Sequence, residues 1–231
     1  MPRTKEFTPQ LGILPPEQRR LWGELSSVPK DFVLYGGTAL ALHLGHRNSA
    51  DFDFFSNRPL RQTELETNIP FMDGAKVIQR EENTLSAIVD RGGPVKVSFF
   101  GVPKLQRLST PQVAADNNLK IASLIDLAGT KASVVQVRAE AKDYVDMDAL
   151  IRVDGVGLPL ALAAAQKLYG AGFNPEITLK ALSYFDDGNL SELPNDMKLR
   201  LVMAARDVDL SHLPDLGDAL RRIDFDYGSE L

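Results

Sequence analysis

Cysteine is absent from all 231 residues. That one absence excludes disulfide scaffolds, zinc–thiolate sites and thiol nucleophiles together, and it fits a reducing compartment. Histidine is scarce as well, and His43, His46 and His212 do not fall at zinc-ligand spacing. No apolar run approaches the roughly 20 residues of a membrane helix. The N-terminus, MPRTKEFTPQ, lacks the apolar core and small-residue cleavage site of a secretory signal. A cytoplasmic location with no membrane partner is therefore the default expectation. Excess positive charge is missing too: 26 Lys and Arg against 31 Asp and Glu leave a net charge of −5. That argues against a uniformly basic nucleic-acid binder and leaves room for a local basic patch. There is no internal repeat, no low-complexity tract, no Gly-x-x-x-x-Gly-Lys-Ser/Thr loop and no evident Ser-His-Asp arrangement. Gly155-Val156-Gly157 lacks a third glycine and a preceding strand, so it reads as a loop.

What is present is a chain long enough for one large domain or two small ones. Pro15 and Pro16 introduce a helix over EQRRLWGEL, with Leu21, Trp22 and Leu25 on one face. Phe32–Tyr35 reads as a buried strand ending at Gly36. The pattern then turns helical, with Thr38 as a candidate cap, Leu40 and Leu44 one turn apart, and Gly45 as the stop. Asp51–Phe55 has a period of two and predicts a strand. Residues 60–69 predict a helix. Thr84–Val89 and Val95–Phe100 predict a hairpin around Arg91-Gly92-Gly93-Pro94. From Ser123 the chain is helical: Leu124, Leu127, Lys131, Val134, Val135 and Arg138 recur at helical spacing, and a second helix is expected near Asp143. Leu158–Leu168, Pro175–Tyr184 and Asp196–Asp207 predict further helices. Strands early and helices late give an α+β class: a small mixed sheet flanked by helices over residues 1–118, then a helical half over 119–231.

The segment Gly36–Phe55, GGTALALHLGHRNSADFDFF, concentrates the chemistry. Aspartates at i and i+2 of a strand point to one face, where their oxygens can share a hard divalent cation such as magnesium. Asp-x-Asp alone is common on exposed strands. Here Phe52, Phe54 and Phe55 mark the strand as interior, and two carboxylates beside buried aromatics cost several kcal/mol unless neutralised. Gly36 and Gly37 permit close backbone approach, and a helix N-terminus offers free N–H groups to an anion. On its own this turn is better explained by a tight strand-to-helix connection with no ligand. Joined to Asp51, fourteen residues after Gly37, it becomes a phosphate cradle followed by a metal site, the logic of metal-assisted nucleotidyl transfer.

The words GGTALAL, GHRNSADFDFF and KASVVQVRAEAKDYVD, with NPEITLKALSYFDDGNLSELP downstream, resemble the AbiEii/AbiGii-type toxin family within the polymerase-beta-like nucleotidyltransferases. The resemblance spans roughly Asp31 to Pro194. It implies a transfer of a nucleoside monophosphate from an NTP to a hydroxyl acceptor, with the 3′ end of a tRNA as a candidate acceptor and a cognate antitoxin as a partner. It implies that Gly36, Gly37 and Thr38 bind nucleotide phosphates and that Asp51 and Asp53 bind magnesium. It also implies that Lys131 lies near the triphosphate and that Asp143 and Asp146 form a downstream acidic pair, so that the helical half completes the catalytic cleft.

Read from the residues alone, Lys131, Arg138 and Lys142 fall within about 40° of one face if they share one continuous helix. That face could meet phosphates or simply be solvated. Asp143 and Asp146 also suit a helix cap. Arg47 could touch the triphosphate or pair with Asp51 or Asp53. His46 reads as structural and Ser49 as a loop-capping residue. A local basic patch could be built from Arg47, Arg58, Arg61, Lys131, Arg138 and Lys142.

One departure from the superfamily stands out. Many nucleotidyltransferases carry a third carboxylate on a later strand of the same sheet, whereas the corresponding positions here hold Lys96 and Ser98, with Asp90 in the hairpin turn. The general base is then Asp143, Asp146 or the substrate itself, or the chain is a nucleotide-binding module with impaired catalysis. A small-molecule or protein acceptor is a further alternative to RNA.

Overall fold

The computed structural model describes residues 6–217. Residues 1–5 and 218–231, which the expected domains include, lie outside the described residues. The chain separates into two compact units. The first comprises the chain up to Gln106 together with Thr110–Ser123, and the second comprises Arg107–Ser109 and the chain from Leu124 onward. The first unit thus runs past residue 118 and excludes a three-residue segment that belongs to the second.

The first unit is built on one mixed sheet. Its strands are β1 (Glu6–Phe7), β2 (Val33–Tyr35), β3 (Phe52–Ser56), β4 (Lys76–Glu81), β5 (Thr84–Asp90), β6 (Pro94–Gly101), β7 (Gln112–Ala114) and β8 (Lys120–Ile121). They lie in the order β1-β7-β8-β2-β3-β6-β5-β4. Helices α1 (Pro16–Trp22), α2 (Gly36–Leu44) and α3 (Gln62–Asn68) accompany it. The central strands and the β5–β6 hairpin match the sequence expectation. The edges were not expected: β4 is exposed along its whole length, bulged between Val77 and Gln79, and carries none of the apolar alternation that marks a strand in sequence.

The two-residue period of β3 explains the core. Phe52 and Phe54 point to one face and are fully buried. There Phe54 stacks on Phe99 at 5.4 Å between ring centroids, Phe32 meets Phe99 edge-on at 5.3 Å, and Trp22 lies 6.4 Å from Phe52. Each such ring contributes about 1.5–3 kcal/mol of transfer free energy. Asp90 accepts from the N–H groups of Gly92 and Gly93 at 2.8 and 3.1 Å, which places it in the hairpin turn as expected.

The second unit is helical: α4 (Leu124–Val134), α5 (Ala141–Ile151), α6 (Gly157–Tyr169), α7 (Pro175–Ala181) and α8 (Asn195–Arg206). The second helix starts within two residues of the expected Asp143, so the shared face for three cations does not arise. Lys131, Arg138 and Lys142 do not share a continuous helix, because α4 stops at Val134 and α5 starts at Ala141. No proline or glycine announces the break; it is held from far along the chain. The Asn189 side-chain oxygen accepts from Ala141 N–H at 2.7 Å. Gly188, at φ +55°, lies so close to Ala139 that a Cβ there would overlap the Ala139 carbonyl oxygen.

His43 ties α2 to the sheet. Its ring stacks on Phe7 at 4.6 Å and its Nε2 lies 2.9 Å from the Ala122 carbonyl, which accepts from it. Burial lowers the imidazole pKa to about 4 against the opposing pull of that carbonyl. A lowered folded-state value means the unfolded chain takes up the proton first. The contribution of His43 is therefore complete above about pH 6.5 and declines as the pH falls toward 4. An NMR titration of His43 is expected to show a midpoint near 4; a midpoint at the free-imidazole value would contradict this packing.

Candidate active site

One residue, Phe52, separates the two aspartates, and a strand presents every second side chain to one face. On β3 that face carries Asp53 and Phe55, with Asp51 immediately before the strand. The pairing of β3 with its neighbours then decides what meets them. Tyr35 of β2 pairs with Asp53, Asp53 with Ser98 of β6, and Ser98 with Ser86 of β5. A polar row therefore crosses four strands on the face opposite the phenylalanine core. Ser98 and Ser86 are buried, and the Ser86 hydroxyl donates to Ser98 at 3.2 Å. Asp51 is exposed and Asp53 half-buried.

The strand-to-helix turn lies against the same row. Tyr35 is extended, Gly36 opens α2, and no side chain caps the first turn. Its leading N–H groups carry the partial positive charge of a helix N-terminus. Gly36 has φ +76°, a conformation open to glycine, and a Cβ at this position would lie 3.3 Å from Asp53 Oδ2. The missing side chain is what leaves room around that carboxylate.

Thr38 is buried in the first turn of α2, so it is not the residue that precedes the helix. Its hydroxyl bonds to Ser49 Oγ at 2.7 Å and to the backbone oxygen of Asp51. Thr38 thus fixes the backbone of the first aspartate to the start of α2, with Ser49 as the third member of the clasp. Gln18 adds a bond from its side-chain amide to the Ala50 carbonyl at 2.7 Å. Arg47 is half-buried and donates to the Asn48 carbonyl at 2.9 Å.

Lys131, Arg138, Asp143 and Asp146 all belong to the second unit, where buried Lys131, Asp143 and Asp146 form one network that exposed Arg138 closes from the surface. Asp143 and Asp146 are fully buried. Lys131 Nζ lies 2.6 Å from Asp143 and 2.7 Å from Asp146. Arg138 grips Asp143 through two bonds, Nε at 2.6 Å and Nη2 at 2.9 Å. Burial alone would push the Asp143 carboxyl up, but the Arg138 bonds and the Lys131 charge outweigh it and hold it below its ordinary range. Asp143 falls in the first turn of α5, without acting as its N-cap.

Two further buried acids escaped the sequence reading. Asp148 on α5 is bound by Arg200 at 2.8 and 3.0 Å, fifty-two positions away. Asp126 on α4 accepts from the N–H groups of Leu108 and Ser109 at 2.7 and 3.3 Å, which draws the segment Arg107–Ser109 into the second unit. The available signal was the fit of these acids to the apolar stripe of their helices, where a carboxylate needs a partner. Of the basic residues expected to form a patch, Arg61 pairs with Glu64 at 3.1 Å and Lys142 with Glu140 at 2.8 Å, while Lys131 and Arg138 are consumed by the network.

Comparison with known proteins places the chain in a family. Residues 20–222 match the family described as the nucleotidyl transferase AbiEii toxin of type IV toxin–antitoxin systems. An uncharacterized protein of Aquifex aeolicus (strain VF5) is 32% identical over 175 residues, 74% of this chain and 82% of that protein. MenT4, a nucleotidyltransferase toxin of Mycobacterium tuberculosis H37Rv, is similar in structure with a TM-score of 0.53 at 16% identity, over 91% of this chain and 90% of that one. A solved H. pylori protein described as a nucleotidyltransferase gives a TM-score of 0.52 at 16% identity, over 89% and 94% of the two chains. At such identity the structural likeness is one of fold.

The buried network makes a direct prediction. Lys131→Met leaves two buried carboxylates short of their shared cation and is expected to cost about 3–5 kcal/mol, read as a shift of the urea midpoint. Adding Asp146→Asn should recover part of the loss. A Lys131→Met midpoint equal to that of the unaltered chain would show that the network is not holding the unit together.

Proposed function

The chain belongs to the AbiEii nucleotidyl transferase toxin family and is a nucleotidyltransferase; from that premise we propose that it moves a nucleoside monophosphate from a magnesium-bound NTP to a hydroxyl acceptor through Asp51 and Asp53. The observation that carries this reading is Asp53 on the open face of β3 with Asp51 immediately before the strand, beside the uncapped N-terminus of α2 and the open position at Gly36.

The donor set suits magnesium. It is all oxygen, and magnesium takes one or two carboxylates and fills its shell with phosphate oxygens and water. Among the described residues no group of three or more His, Asp or Glu gathers as a metal cage, so the substrate's phosphates supply the remaining ligands. Magnesium, when bound, polarises the α-phosphate. The N–H groups at Gly36, Gly37 and Thr38 receive the phosphate oxygens, and the Thr38 hydroxyl serves by fixing Asp51. In the transfer, the acceptor oxygen bonds to the α-phosphorus as the bond from phosphorus to the bridging oxygen of the β-phosphate breaks. Pyrophosphate departs with the bonding electrons.

The acceptor's proton needs a destination. Ser98 and Lys96 are not acids, and Asp143 is a poor base because its cationic partners depress its pKa. Asp146 is fully buried and held by Lys131 at 2.7 Å, so in this reading the proton passes to the departing pyrophosphate, and Lys131, Asp143 and Asp146 support the transfer through the integrity of their own unit. Following the family description, an antitoxin partner is carried over, with the tRNA 3′ end as the first acceptor to test. A small-molecule or protein acceptor is favoured by the ion pairing of Arg61, Lys131, Arg138 and Lys142, which leaves few cations for a long RNA track.

The test is incubation with each labelled NTP, magnesium and total RNA, alongside Asp51→Ala. Label entering RNA, and at least a hundredfold less of it with the variant, is expected for a residue of the metal site. Label entering protein or small molecules instead selects the other acceptors. Tight NTP binding with no transfer to any acceptor would sink the enzymatic reading in favour of a binding module.

A further inference from the structure

Lys96 and Ser98 occupy the positions where the superfamily's third carboxylate would be, and their placement follows from the sheet register. Phe52 pairs with Val97 and Asp53 with Ser98 in the parallel β3–β6 ladder. Asp51 and Lys96 are the residues that immediately precede this first pair on the two chains, so continuing the register by one step sets Lys96 toward Asp51, while its partner on the other side is Ile88 of β5. By the period of β6, Lys96 and Ser98 share the face that carries the aspartates. Neighbouring strands are about 4.8 Å apart, and a lysine stem reaches farther than that. Lys96 is half-buried, and among the described residues no ion pair engages it.

We propose that Lys96 takes the place of a second divalent ion, so that the site holds one metal and one ammonium. The inference rests on the metal-site reading of Asp51 and Asp53. The charge balance supports it. Two carboxylates neutralise one divalent cation, and a second would need further anionic protein ligands, as in two-metal transfer sites. At that position an ammonium cannot ligate and repels another cation. It can instead donate to a triphosphate oxygen as a compact point charge. Ser98, bonded to Ser86 and buried, keeps the neighbouring position neutral. The ligand class for Lys96 is therefore the NTP's phosphate chain.

The experiment is a manganese titration followed by electron paramagnetic resonance, with a non-hydrolysable NTP analogue present and absent. It compares the full chain with Asp51→Asn, Lys96→Ala, Lys96→Arg and Lys96→Glu, each checked for folding by circular dichroism. One manganese per chain is expected, lost in Asp51→Asn. Lys96→Ala should keep that ion and weaken analogue binding by about tenfold or more, the scale of one charge-assisted contact. Lys96→Arg should keep most of the affinity, and Lys96→Glu should gain a second manganese. Two ions in the unaltered chain, both lost in Asp51→Asn, would overturn the proposal, as would unchanged analogue affinity in Lys96→Ala. Manganese retained by Asp51→Asn would overturn the carboxylate reading beneath it, a separate failure.

Discussion

The parallel pairing of β3 with β6 constrains the candidate site more than any single contact does. Because side chains alternate along a strand, the same pairing that buries Phe52 and Phe54 against Phe99 turns Asp53 toward Ser98 and away from the core. A slip of one residue would bury the aspartates and expose the rings. The apolar side of the sheet therefore fixes the chemical side: the aromatic packing is deep enough to make the slip prohibitive. On the chemical side the requirement is openness, and glycine at position 36 and the uncapped start of α2 meet it.

The second unit solves the opposite problem. Asp143, Asp146 and Asp148 are all fully buried on one helix, and each is answered by Lys131, Arg138 or Arg200. Charges buried this way add little net stability, but removing one partner strands the other. The network therefore specifies how α4, α5 and α8 pack, as a lock does, without driving their assembly. That accounts for a lysine and two aspartates being both the most recognisable downstream motif and the least solvent-exposed one.

Much of this was legible in the sequence because the signals were local. The turn, helix and strand of Gly36–Phe55 follow from glycine placement and the two-residue period. The hairpin follows from Arg91–Pro94, and the late helices from apolar spacing within a few residues of their observed ends. What escaped was set at long range. A second helix near Asp143 was expected, but not that Gly188 and Asn189 hold the gap before it, and β4 is a strand only because β5 pairs with it. Thr38 looked like a cap from its position, whereas its hydroxyl is engaged by Ser49 and Asp51 across a loop. The absence of an acid at Lys96 and Ser98 was readable at once; that Ser98 lies opposite Asp53 needed the register.

The small segment Arg107–Ser109 has a consequence for how the molecule can be divided. The chain leaves the first unit after Gln106, lends three residues to the second through Asp126, and returns at Thr110 for two more strands. No single cut in the polypeptide yields the two units intact: a break before β7 strips strands from the sheet, and a break at α4 removes the backbone that Asp126 binds. The two units are interleaved in sequence. Recombination between relatives would have to exchange both together to keep either one whole.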